Sequence, residues 1–187
     1  MEVVKVRSMP YDGSQLHHAF AYEQAGELGA TICYFFGNAY VKKHLVDLED
    51  SLANDFIKSD EMHHFIIEIP EATITETVVW QRMFISICID YIRKYGAGHK
   101  IERNGDDIMI DDRKLSVSIA TLSLFSGLIH VGINATVGEG CPVKAIGLSE
   151  FMDLHARKHH QFAHMVATTF AEEYLDIKDA TFKVIGV

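Results

Sequence analysis

The sequence predicts an α/β (α+β) domain in which helices flank a mostly antiparallel sheet. Residues 103–135 alternate apolar and polar side chains in three consecutive runs separated by short turns, which is typical of strands. Residues 73–76, Thr-Ile-Thr-Glu, form a capping-box pattern before a long apolar segment, which predicts a buried helix. The chain has 187 residues, 48% of them hydrophobic, and this suits a single domain spanning 1–187 with a sizeable core.

The segments before residue 103 predict strands that alternate with helices. Ser14 follows a Pro-Tyr-Asp-Gly turn and is a candidate N-cap for the first helix. Pro70 is expected to end a strand, because proline cannot continue a hydrogen-bonded ladder. The elements predicted in this half are a strand at 2–7, a helix at 14–26, a strand at 30–36, a short acidic helix at 45–55, a strand at 63–69 and a helix from 73.

The segments after residue 135 predict one loop, one helix and one strand. Ser149 is a second candidate N-cap. The helix after it has an apolar face at helical spacing, and a last strand is predicted at 181–187. The apolar face consists of Phe162, Met165, Val166, Thr169, Phe170 and Tyr174.

The polar side chains of the strands in 103–135 are predicted to share one face, which is the candidate ligand-binding surface. Side chains alternate across a strand, so the aliphatic residues between them would face the core. Several residues of this face (Ser116, Ser118, Ala120 and Gly132) are small where a solvated strand would carry larger polar side chains. A glycine inside a strand, such as Gly132, often marks the close approach of a ligand or of another backbone. An ordinary solvated face is the alternative, and it stays open. The predicted face consists of Lys114, Ser116, Ser118, His130, Gly132 and Asn134.

Further candidates come from turns and loops near this face. A hairpin enters with Asp106 and Asp107 and leaves with Lys114, which predicts that carboxylates and an amine lie close together. The turn Tyr11-Asp12-Gly13 runs into the predicted helix N-terminus, where backbone donors favour an anion, although a simple helix cap explains it equally well. Either His63 or His64, but not both, could reach the Lys114 face, because adjacent residues of a strand point to opposite sides, and a structural histidine is the alternative.

The cysteines and histidines do not predict a disulfide framework or a metal site. Cys33, Cys88 and Cys141 are far apart, and the first two lie in apolar runs, whereas Cys141 lies in a Gly/Pro loop. The pairs His155/His159 and His160/His164 have ligand spacing, but on one helix they point roughly 140° apart. We therefore predict no metal ligands.

The segments GDDIMIDDRKLSVSIAT and LIHVGINA resemble part of lipoate-protein ligases and their biotin-ligase and octanoyltransferase relatives. The resemblance places Lys114 on the lysine that contacts the acyl-adenylate or polarises the acyl carbonyl, and Asp107 on the aspartate that orients it. His130 and Gly132 fall on the histidine-glycine strand. In the octanoyltransferases a cysteine follows that strand, which implies Cys141 as a thioester nucleophile.

The whole chain, from PYDGSQL through VDLEDSL, MHHFIIEI and RKLSVSIAT to AIGL, resembles domain of unknown function 366, an uncharacterised prokaryotic family with the class II synthetase and biotin-ligase-like fold. The chain lacks the Arg-Arg-x-Ser-Gly-Gly-Gly run that wraps the adenylate in lipoate ligases; residues 55–72, in the corresponding place, contain no glycine. ATP and Mg²⁺ are the cofactors that the ligase resemblance implies, and the missing run argues against them, so the sequence identifies no cofactor.

Composition and charge narrow the class of partner. A formal net charge of -9, with basic residues only in scattered pairs, argues against nucleic acid. The sequence has no segment typical of a membrane span or signal peptide, so a cytoplasmic location is expected, and a homo-oligomer stays open. We expect a small-molecule carboxylate or acyl ligand, with acyl or carboxylate-cofactor transfer or adenylation as the activity. The alternative is a non-catalytic small-molecule-binding or sensor protein on the same scaffold.

Overall fold

The computed structural model describes residues 1–96, 98–152 and 156–186, with only the backbone for 156–160. Its main sheet has five strands: Glu2–Lys5 (β1), Thr31–Val41 (β2), Ile57–Pro70 (β3), Ser116–Leu122 (β7) and Ser126–Thr136 (β8). A small three-stranded sheet lies between them in sequence: Ile101–Asn104 (β4), Asp107–Ile110 (β5) and Arg113–Lys114 (β6). The helices are Phe20–Ala25 (α1), Leu48–Ala53 (α2), Ile74–Arg93 (α3) and Ala156–Thr181 (α4).

The order of strands in the main sheet is β1-β2-β3-β8-β7, and the small sheet has the order β4-β5-β6. All pairs are antiparallel except β1 with β2. The predicted class, a mostly antiparallel sheet flanked by helices, is confirmed.

Helices α3 and α4 cover one face of the main sheet and form its larger core. Phe84 of α3 packs against Phe65 of β3 and Phe170 of α4, with ring centroids 4.9 and 5.2 Å apart. The predicted capping box is present, since Thr73 Oγ1 accepts from the Glu76 N–H and Glu76 accepts from the Thr73 N–H. The helix-covered side is therefore closely packed, and the opposite face holds the cavity described below.

Several predicted elements differ from the structure. The first helix begins at Phe20 with Ala19 as N-cap, because the Ser14 hydroxyl instead donates to Asp12 in a local turn. β2 and β3 are longer than predicted, and β1 is shorter. Ser149 lies inside a single 3-10 turn and donates to the Ala135 carbonyl.

The final strand predicted at 181–187 is wrong over the described residues. Helix α4 continues to Thr181, and no strand follows within 182–186. Of the predicted apolar face of this helix, Met165 and Thr169 are exposed, whereas Ala163 and Ala167 are buried. These alanines pack into the core, where a small side chain lets the helix approach the sheet.

The predicted faces are right for β8 and wrong for β7. Ile129, Val131 and Ile133 are in the helix-side core, so His130 and its β8 neighbours on alternate positions lie on the other face. Paired residues of a sheet share a face. Val117 pairs with Gly132, and Ile119 with His130. The aliphatic residues of β7, and not its serines, therefore lie on the His130 face.

Ser116 and Ser118 turn toward the helix side because internal partners satisfy their hydroxyls. Ser116 Oγ accepts from the Ile108 N–H of β5 at 2.8 Å. Ser118 Oγ lies 2.7 Å from Gln81 Nε2 of α3 and donates to Asp106 at 2.8 Å. A small hydroxyl with such partners is buried at little cost.

Candidate ligand-binding cavity

A cavity of about 480 Å³ opens on the face of the main sheet opposite α3 and α4. Its rim is formed by α2 with its flanking loops, by β6 and by the loop at 141–145. Strands β3, β7 and β8 supply much of the wall. The aliphatic side chains of the wall are Leu16, Val41, Leu45, Ile57, Met62, Val117 and Ile119. An aliphatic wall beside charged and polar groups suits a small molecule that has an apolar part and a polar end.

Lys114 and Asp107 form an ion pair at the cavity, with Lys114 Nζ 3.0 Å from Asp107 Oδ2. The backbone of Lys114 is held on both sides, because its N–H donates to the Lys144 carbonyl and its carbonyl accepts from Ile146. Burial raises the pKa of Asp107, and Lys114 opposes that rise. The predicted approach of carboxylate and amine across the hairpin is confirmed, and it leaves an oriented ammonium group at a half-buried position.

The neighbouring carboxylate, Asp106, is bound from the helix side. Arg82 lies 3.2 Å from it, and Gln81 and Ser118 both donate to its Oδ2. These contacts fix Asp106 and leave Asp107 as the partner of Lys114.

His64, His130 and Tyr11 form a buried ring stack beside the cavity. Tyr11 lies on His130 with ring centroids 3.8 Å apart and planes at 13°, and on His64 at 4.9 Å. Tyr11 and His130 line the cavity. Of the two adjacent histidines considered from the sequence, His64 is the one on this face, while His63 packs against Phe162 of α4.

The hydrogen bonds of the stack fix the protons on both imidazoles. His64 Nε2 lies 3.3 Å from the Gly37 carbonyl, which can only accept, so Nε2 carries the proton. His64 Nδ1 is therefore an acceptor, and His130 Nε2, 3.1 Å away, donates to it. Burial lowers the pKa of His64 to about 3 and that of His130 well below its usual value. Both rings are neutral near pH 7, and His130 Nδ1 keeps a lone pair.

Other predicted residues take up different positions around the cavity. Cys141 and Asn134 line it, and Ser116 and Ser118 border it at the edge strand β7 although their hydroxyls bond to partners on the helix side. The Asn134 amide donates to the carbonyls of Lys114 and Ile146 and so connects β8 to the Lys114 segment. Gly132 does not line the cavity, because Met62 and Val117 occupy the space above it: a Cβ there would lie 2.6 Å from Met62 Cε.

The predicted anion site at Tyr11-Asp12-Gly13 is not formed as expected. The helix that was to supply the donors begins at Phe20 and has six residues. Asp12 accepts from the Ser14 backbone and hydroxyl, and these bonds lower its pKa. Gly13 has φ +92° and packs against His44. Of the three residues, only Tyr11 lines the cavity.

Most of the histidine side chains considered as metal ligands lie outside the part of the chain that the structure describes. His155 is outside the described residues, and the side chains of His159 and His160 are likewise not described. His164 has a described side chain, whose Nδ1 lies 3.2 Å from the Tyr34 hydroxyl.

The charge of the cavity lining does not fit a nucleoside triphosphate. Two lysines, Lys58 and Lys114, face a majority of acids, and burial together with Asp47 and Asp55 raises the pKa of Asp50. Within the described part of the chain no three His, Cys, Asp or Glu side chains are grouped to hold a metal ion. A polyanion would meet net repulsion here. The six acids of the lining are Asp47, Glu49, Asp50, Asp55, Asp106 and Asp107.

Three features of the site were not predicted from the sequence. Met62 and Ile57 supply aliphatic wall from β3, α2 supplies acids, and Tyr11 lies on His130. Asp47 is the N-cap of α2, so the capping pattern locates that helix, but it does not indicate that the helix borders the cavity. Contacts of this kind join segments distant in sequence, and only packing determines them.

The fold defines a class of protein, the lipoate and biotin protein ligase-like scaffold. A T. acidophilum protein assigned as a lipoate protein ligase, solved with lipoic acid, matches with TM-score 0.58 and 12% identity over 92% of this chain and 87% of that one. A biotin protein ligase from Aquifex aeolicus, solved with biotin, matches with TM-score 0.57 and 14% identity over 96% of this chain and 72% of that one. Identities this low show a shared fold.

Within that class, the chain belongs to the family described as Domain of unknown function (DUF366), whose model matches residues 1–185. A solved protein of unknown function from Pyrococcus horikoshi is similar over 100% of this chain and 99% of that chain, with 34% identity and TM-score 0.89. The resemblance drawn from the sequence motifs is confirmed.

Among the helices in the described ranges, none is both long enough and apolar enough to cross a bilayer.

Proposed function

We propose that the protein binds a small carboxylic acid or its acyl derivative in the cavity, with an oxygen of the ligand at Lys114, and transfers the acyl group. The observation that carries this proposal is the Lys114 ammonium, which Asp107 holds 3.0 Å away beside an aliphatic wall. An oriented ammonium in a half-desolvated site can hydrogen-bond a carboxylate or polarise a carbonyl. The aliphatic side chains suit the hydrocarbon part of the ligand.

Two solved proteins with this scaffold support the ligand class, since one holds lipoic acid and the other holds biotin. Both ligands are small carboxylic acids with an apolar chain. The acidic lining disfavours ATP, so an acyl donor that is already activated, such as a thioester, fits the cavity better than adenylation does. In that case Lys114 polarises the acyl carbonyl, and Cys141, in the same lining, is the candidate nucleophile.

A second candidate function is non-catalytic binding, and the two histidines favour it. His130 donates to His64, and the pKa of each ring is low, so neither is an effective general base near pH 7. A protein that keeps the cavity without a base would report or store its ligand.

Binding and turnover can be separated on one ligand set. Calorimetry with octanoate, lipoic acid and biotin measures affinity, and native mass spectrometry identifies ligand that purifies with the protein. Incubation with S-octanoyl-N-acetylcysteamine, a thioester that carries no phosphate, followed by intact mass, detects an acyl adduct. Binding with an adduct supports transfer, binding without one supports the non-catalytic function, and no binding of any compound contradicts both.

A further inference from the structure

The Tyr11 hydroxyl has no hydrogen-bond partner among the residues that the structure describes. The residue is 4% exposed and is a lining residue of the cavity. No described residue hydrogen-bonds to its Oη, and Oη is not among the fully enclosed side-chain atoms that lack a partner. In a residue this buried, the remaining access of Oη is through the cavity.

His130 offers a complementary group beside it. The residue is 3% exposed, and its Nε2 proton is directed to His64. Its Nδ1 therefore has a free lone pair, again with no partner among the residues that the structure describes. The two rings are stacked and both residues line the cavity, so a donor, Tyr11 O–H, and an acceptor, His130 Nδ1, belong to one part of the lining.

Burying such groups without partners costs free energy, and a ligand that satisfies both recovers it. A carboxylate would accept from Tyr11, but it has no proton for His130. An alkyl chain would satisfy neither group. A primary or secondary amide has a carbonyl oxygen for the tyrosine hydroxyl and an N–H for the imidazole.

We infer that Tyr11 and His130 form a subsite for a neutral amide group on the ligand, distinct from the carboxyl or acyl end at Lys114. This inference rests on the proposed function, because it assigns a second polar group to the same ligand. The chemical class is an aliphatic carboxylic acid or acyl compound that carries an amide along or at the end of its chain.

The test compares octanoate with the monoamide of octanedioic acid, together with their hexanoate and decanoate homologues, by calorimetry. Wild-type protein is expected to bind the amide of at least one length about tenfold more tightly than the matched fatty acid. Tyr11→Phe removes the hydroxyl and keeps the ring stack, so it should reduce that preference, the ratio of the two affinities measured on the same variant, at least fivefold. Tyr40→Phe is the matched control, since Tyr40 is exposed and outside the lining, and it should behave as wild type.

The outcomes distinguish the two proposals. If both compounds bind equally to wild type, or if the preference survives Tyr11→Phe, the amide subsite is wrong and the proposed function stands. If neither compound binds at any length, or if Lys114→Ala leaves both affinities unchanged, the proposed function fails and the subsite fails with it. Circular dichroism of Tyr11→Phe establishes that a loss of preference comes from a folded protein.

Discussion

Tyr11 lies flat on His130, with ring centroids 3.8 Å apart and planes at 13°. Tyr11 is held by β2, because its N–H donates to the Asn38 carbonyl and its own carbonyl accepts from Tyr40. His130 is held by its bond to His64. The stack therefore joins the N-terminal segment to the central strands β3 and β8, and two of its rings, Tyr11 and His130, line the cavity.

Lys114→Ala is expected to lower the affinity for a carboxylate or acyl ligand tenfold or more, because a charge-assisted hydrogen bond contributes about 1.5–3 kcal/mol. The free energy of unfolding should change by about 1 kcal/mol or less, since the pair with Asp107 is partly exposed. Calorimetry and urea unfolding measure the two effects. Lys144→Ala is the control: Lys144 pairs with the exposed Asp112 outside the lining, and its loss should leave affinity unchanged. Equal affinities in both variants would refute the role of Lys114.

Stability should fall as the pH drops below about 6.5, the ordinary pKa of an unfolded histidine. His64 and His130 have lowered pKa values in the folded protein, to about 3 for His64, so the unfolded state binds more protons between these limits. Each histidine should cost roughly 1 kcal/mol or more between pH 7 and 5.5. Urea unfolding across this range measures the slope.

The matched variants for this prediction are His64→Gln and His17→Gln. Glutamine at 64 does not titrate, so the pH slope should fall by about half, and His17→Gln, at a more exposed residue outside the pair, is the control substitution. If the free energy of unfolding of His64→Gln depends on pH as steeply as that of the wild type, the buried pair does not control acid stability.

Gly132→Ala should destabilise the protein by about 1–3 kcal/mol, because the added Cβ would lie 2.6 Å from Met62 Cε and 3.1 Å from Val117 Cγ2. Met62 is a flexible side chain of the cavity lining, so its displacement should also weaken ligand binding. Thermal unfolding of Gly132→Ala, Met62→Ala and the double variant forms a cycle. The double variant should be more stable than the sum of the single changes predicts. If the stability changes of the two single variants add up to that of the double variant, Met62 does not restrict position 132.

Cys141 should be the cysteine that iodoacetamide labels in the native protein near pH 8. Cys33 and Cys88 are buried, and burial raises the pKa of Cys33 to about 12 and that of Cys88 well above its usual value. Mass spectrometry of tryptic peptides locates the label, and Cys141→Ser should remove it. Because Cys141 lines the cavity, a saturating ligand should slow its labelling. If a bound ligand does not slow the labelling of Cys141, this cysteine does not lie at the ligand site.

The sequence by itself determined the features that depend on neighbours in the chain. The capping box at Thr73 and Glu76 starts α3 because both partners lie within one helical turn. The pairing of Asp107 with Lys114 follows from a hairpin of a few residues. The face of β8 follows from strict alternation, since its aliphatic residues are continuous on one side and leave His130, Gly132 and Asn134 on the other.

Only the tertiary structure decided which face of β7 lines the cavity and what covers it. Ser116 and Ser118 alternate with Val117 and Ile119, so the pattern separates two faces without saying which one is internal. Ile108, Gln81 and Asp106 satisfy the serine hydroxyls, and this allows the serines to face the helix side.

The same reason applies to Tyr11 over His130, to Met62 over Gly132 and to the acids of α2. Each of these contacts joins segments that the sequence leaves far apart, and packing and hydrogen-bond satisfaction across the fold select them.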